Sequence, residues 1–185
     1  METSITKQQL FSKDDLKKLI IPLLFEQALA ITVGMADTVM ISSAGEAAVS
    51  GVSLIDMFNN LIISVLAALA TGGAVVTSQF LGAGKKEDAC KSAKQLIVSS
   101  VCITIGISIL VMVFCNGIIS LFFGKIEADV FHNAVIYMMI SALSFPFLAL
   151  YNSCAALFRS MGNSKITLKV SIVENIINIG GNALG

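Results

Sequence analysis

Four acidic side chains stand inside long apolar runs: Glu26, Asp37, Asp56 and Glu174. A carboxylate is costly in hydrocarbon, so acids in such runs turn to a bundle interior or to water, and they mark ion or substrate pathways. Glu26 and Asp37 lie eleven residues apart. On one helix that separation overshoots three turns by about 20°, so both point the same way, about 16 Å apart along the axis. Ala30 and Gly34 fall between them on that face, small enough to admit a neighbouring helix, water or a ligand. Glu26 has two readings, a station on a cation or proton path and a snorkelling or hydrogen-bonded structural acid. For Asp37, in the outer half of the run, function is the favoured reading. Asp56, near the start of the next run with Asn59 and Asn60 beside it, reads as a solvated interfacial acid.

A second polar set is Asn175, Asn178 and Asn182, a stripe at i, i+3 and i+7. Measured along their helices, Asn178 and Asn182 rise about 18 and 24 Å from the inner end and Asp37 about 27 Å, so Asp37 and Asn182 reach similar depth. A carboxylate with amide oxygens suits a hard cation such as Na⁺. A desolvated carboxylate, its pKa raised by burial, suits a proton. Hydrogen bonding between helices is the competing role for the asparagines.

Other chemistry finds little support. Cys90, Cys102, Cys115 and Cys154 form no CxxC pair, and His132 is the single histidine, so neither a disulfide, a metal site nor a catalytic centre is expected. No basic patch suggests nucleic acid. An enzyme is not expected, and no cofactor is implied beyond a coupling ion.

These residues need helices in lipid to hold them. Of the 185 residues, 56% are hydrophobic and 13% charged, against about 45–50% and 25% in soluble domains. Apolar runs at 19–41, 52–81, 96–123, 131–158 and 166–185 are each long enough to cross a hydrocarbon core, which takes about 20 helical residues. In lipid only a helix satisfies such a run's backbone. The expected fold is therefore an all-α integral membrane bundle after a tail at 1–18. Ser12-Lys-Asp-Asp15 reads as a capping-box start. The first run is too long, and too acidic, for a cleaved signal peptide. Eleven of the twelve Lys and Arg fall in the tail, the second loop and the fourth turn, leaving Lys125 alone opposite. The positive-inside rule then sets the N-terminus in the cytoplasm. Pro146 predicts a kink in the fourth helix. Gly72-Gly73 is expected to serve close packing, and Met138, Met139, Phe145 and Phe147 to pack in the core or face lipid.

Three stretches carry a further signal: Gly34-Met-Ala-Asp37-Thr-Val-Met-Ile; Gly72-Gly73 followed by Ser78-Gln79-Phe-Leu-Gly82-Ala-Gly84-Lys85; and Leu157-Phe-Arg159-Ser-Met-Gly162-Asn-Ser-Lys165. In this order and spacing they resemble the multidrug and toxic compound extrusion (MATE) transporters, bacterial members in particular. The resemblance runs from about residue 16 to the end. It implies two six-helix lobes, of which this chain supplies about five helices of the N-terminal one, the C-terminal lobe being its missing partner. It also implies Na⁺- or H⁺-coupled export of cationic or amphipathic organic compounds across the bacterial cytoplasmic membrane. The family's first-helix acid corresponds to Asp37, and its fifth-helix Asn-x-x-x-Asp to Asn178-x-x-x-Asn182, where an amide replaces the acid and removes one charge. Asn152 matches a fourth-helix polar position less closely, and Glu26, Asn60, Asn152 and Glu174 are the candidate pathway or cavity residues. A lipid-linked saccharide flippase would want cations deep in the spans to hold pyrophosphate, and the spans hold none. A non-transporting membrane fragment is the other alternative.

Overall fold

The computed structural model describes residues 13–43 and 45–184, with the backbone alone for Asp15 and for 182–184. The expected cap at Ser12 and Asp15 thus lies outside the described residues. Five helices follow in order: α1 (Lys13–Ser42), α2 (Glu46–Gly82), α3 (Lys86–Phe123), α4 (Ala128–Ser160) and α5 (Ser164–Leu184). All but α5 are long and apolar enough to cross a membrane. In α5 the expectation of an equally apolar span meets Lys165, Lys169, Glu174 and three asparagines in 21 residues. The helices also outrun the apolar runs, α3 by the ten residues from Lys86 to Gln95, whose Glu87 and Asp88 suit the positive end of the helix dipole.

Two of the turns explain why the glycine-containing stretches sit where they do. After α2, Lys85 N–H bonds the Phe80 carbonyl and Gly84 N–H that of Leu81; after α4, Asn163 N–H bonds Phe158 and Gly162 N–H bonds Arg159. Both are Schellman stops, which need a left-handed residue, and Gly84 (φ 75°) and Gly162 (φ 80°) supply it. The Gly-Ala-Gly-Lys and Met-Gly-Asn segments are therefore helix terminators on one side of the bundle.

Helices α2, α3 and α4 pack as one layered group. Ile55, Val111, Cys115, Ile119, Ala134, Met138, Ala142 and Phe145 form its larger core; Ala70, Ala74, Leu96, Ala156 and Leu157 form a second, toward the other end. Small residues set the spacing, since lipid supplies no hydrophobic drive between helices and close packing must hold them. A side chain at Gly73 would place Cβ 2.3 Å from Leu96 Cδ1, while one at Gly72 would meet nothing. Only the second glycine of the pair is a packing residue. Met138 and Phe145 are core, whereas Met139 and Phe147 are exposed. The α4 helix runs on through Pro146 as one element, and the departure from helical dihedrals lies instead in α3, at Phe114 (φ −104°, ψ 15°).

Helices α1 and α5 pack mainly on each other and touch the α2–α4 group more sparsely, through α4 with α5 and α1 with α2. Between the pair and the group runs a seam. Its lining is where the membrane-embedded polar residues gather.

Candidate functional site

At one end of the seam, Asp37 and Asn178 line a cavity of about 390 Å³ with Gly34, Thr38, Asp56 and Tyr137 among its other walls. Helix periodicity puts Asp37 and Gly34 on one face of α1, and Asn178 brings an amide of α5 to it. The third partner comes from across the seam. Tyr137 of α4 donates its phenolic hydrogen to Asp56 Oδ1 at 2.8 Å. Asp56 is half-buried, and beyond the solvation expected of an interfacial acid its carboxylate takes a tyrosine hydroxyl at a helix–helix junction. Asn182 was expected to meet Asp37, and its side chain lies outside the described residues.

A second cavity, of about 350 Å³, shares Asp56 and Tyr137 with the first and adds Asn59, Asn60, Ser141 and Phe145 among its walls. Asn59 is 9% exposed. Its Nδ2 donates to Ser141 Oγ at 2.9 Å, and its Oδ1 is buried without a hydrogen-bond partner. Asn60, exposed, completes this wall.

The other end of the seam is organised by charge. Glu26 of α1 pairs with Arg159 of α4, Oε1 to Nη1 at 3.2 Å, with the side chains 13% and 33% exposed. The pair ties α1 to the end of α4, a contact that a structural acid makes. Tyr151 of α4 and Glu174 of α5 line a cleft between those helices with Leu148 and Val170. Asn152 is half-buried on α4. Asn175, first of the α5 stripe, donates to Ser171 Oγ at 3.4 Å within its own helix.

Sequence reading passed over Tyr137, Ser141 and the Glu26–Arg159 pair. A signal existed for the first. The chain has two tyrosines, and a phenol inside an apolar helix must find a partner for its hydroxyl.

The fold and seam define a polytopic membrane protein of the transporter type, with its embedded acids and amides at the joint between two helix groups. The match to the MatE family model covers residues 22–184, and the chain belongs to that family. Among curated relatives it is 32% identical to the uncharacterized transporter YisQ of Bacillus subtilis, over 95% of this chain and 40% of that protein. It is 25% identical to the probable multidrug resistance protein NorM of Thermotoga maritima, over 90% of this chain and 36% of that protein. The chain thus spans about two-fifths of the length of these relatives. A solved MOP superfamily transporter from Pyrococcus furiosus, described as having a binding pocket of reverse polarity that suggests a different function, matches 92% of this chain and 37% of its own. The TM-score is 0.83 at 19% identity, a likeness of fold.

Proposed function

We propose that these helices form part of the first lobe of a cation-coupled antiporter that exports cationic or amphipathic organic compounds, with Asp37 as the coupling acid. The observation that carries this reading is the cavity in which Asp37 and Asn178, from the loosely attached α1–α5 pair, meet Asp56 and Tyr137 from the α2–α4 group. A carboxylate at the joint between two bodies changes its affinity for a cation or proton as the joint opens or closes, because its solvation and its neighbours change. That is the property coupling requires: ion binding must favour one arrangement over the other. The amide at position 182 removes one negative charge expected from the family pattern, and Asp56 returns a carboxylate to the same cavity from the opposite side. Na⁺ and H⁺ are both compatible with this set. The site is read as lying in a bacterial cytoplasmic membrane, with the opposite lobe, from the same chain or a partner, closing the transport path.

The test is gradient-driven dye efflux by the full transporter in proteoliposomes. Asp37→Asn is expected to abolish efflux driven by a Na⁺ or H⁺ gradient while leaving insertion intact. Efflux at the unmodified rate would remove Asp37 from the coupling role.

A further inference from the structure

We infer that the cavity walled by Asp56, Asn59 and Ser141 recognises a protonated primary or secondary amine on the transported compound. The inference rests on the efflux reading for its biological use but is a statement about binding alone. Its first support is the imbalance of donors and acceptors. Asp56 brings a negative charge and two acceptor oxygens, of which Oδ1 already takes the Tyr137 hydroxyl. Asn59 spends its Nδ2 on Ser141 and is left with Oδ1 buried and unpartnered. A buried acceptor without a donor is costly, and side chains this enclosed nearly always find one. The missing group is therefore a donor, and beside a carboxylate the favoured donor is a cationic one.

The second support is shape. About 350 Å³ is far more than an inorganic ion needs, and part of the wall is apolar: Ile63, Phe145 and Leu148. An ammonium head on an organic body fits both, its N–H groups toward Asp56 and Asn59 and its carbon skeleton along the apolar side. A quaternary ammonium carries the same charge and no N–H, so it meets the charge but leaves the Asn59 oxygen unsatisfied. The site should discriminate between the two.

Benzylamine, protonated at neutral pH, and benzyltrimethylammonium serve as the matched probes, titrated calorimetrically into the full transporter in nanodiscs without any gradient. Benzylamine is expected to bind at least tenfold more tightly. Asp56→Asn is expected to weaken benzylamine at least tenfold, and Asp56→Glu to keep most of the affinity. Equal affinities for the two probes, no binding of either, or a folded Asp56→Asn protein with benzylamine affinity within twofold of the parent each overturn the proposal. The comparison of probes needs no variant, so a misfolded substitution does not blunt it. Amine binding that persists in a protein whose efflux ignores Asp37 removes Asp37 from the coupling role and leaves this site. Asp37-dependent efflux without amine selectivity does the reverse.

Discussion

The Glu26–Arg159 pair joins α1 to α4 through one charged contact. Arg159 stands in the last turn of α4, where a cation complements the helix dipole, and reaches back to a carboxylate on α1. Glu26 Oε2 has no hydrogen-bond partner; the Arg159 guanidinium, with Tyr151 beside the carboxylate, compensates that charge. Removing it leaves an uncompensated carboxylate, which costs more than the intact pair contributes. Arg159 is a third exposed, so water softens the loss. Arg159→Gln is expected to lower stability by about 1–3 kcal/mol. Adding Glu26→Gln should restore more than half of it, read as a double-mutant cycle on thermal unfolding in detergent. Simple additivity within about 0.5 kcal/mol would mean that the two side chains do not interact.

At the scale of the helix, close approach rather than propensity decides what a glycine does. A Cβ at Gly51 would lie 3.0 Å from the backbone nitrogen of Ala134 and 3.0 Å from the carbonyl oxygen of Val130, atoms of α4 that cannot swing aside. At Gly73 the obstacle is the whole end of the Leu96 side chain, Cδ1, Cδ2 and Cγ all within 2.9 Å. Gly51→Ala and Gly73→Ala are each expected to destabilise by about 1–3 kcal/mol through overpacking. Gly72→Ala, which meets nothing, should be neutral or stabilise by up to about 1 kcal/mol from helix propensity. Unfolding midpoints of the three variants check this, and a Gly72→Ala loss equal to that of Gly73→Ala would refute the asymmetry. The same contrast marks what the sequence could disclose. The apolar spans and the shared face of Glu26 and Asp37 were legible because a bilayer demands long helical runs and a helix has a fixed period. The hydrogen bond that Asp56 accepts was not legible, because its donor, Tyr137, lies 81 residues away. Which helices pair is likewise a long-range fact: no periodicity in α1 or α5 says that they pack on each other. The irregular point at Phe114 was missed, whereas Pro146, the obvious breaker, is absorbed into α4.

For the molecule as a whole, the two helix groups make a transport argument only if the seam has a defined direction across the membrane. The cavity with Asp37 adjoins the α1–α2 turn, and the Schellman stops with their lysines adjoin the opposite ends of the helices. If lysines mark the cytoplasm, the Asp37 cavity opens outward and the Glu26–Arg159 pair lies at the inner end, bracing the seam there. Cys90 is exposed in the first turns of α3, beside Lys86 and Lys91, and Ser43 is exposed in the α1–α2 turn. In an expressing bacterium, with the other cysteines replaced, Cys90 is expected to react with a membrane-impermeant maleimide only after permeabilisation. Ser43→Cys in a Cys90→Ser background is expected to react in intact cells. The opposite labelling pattern would invert the chain and place Asp37 at the cytoplasmic mouth, against the outward-facing position that the proposed coupling gives it.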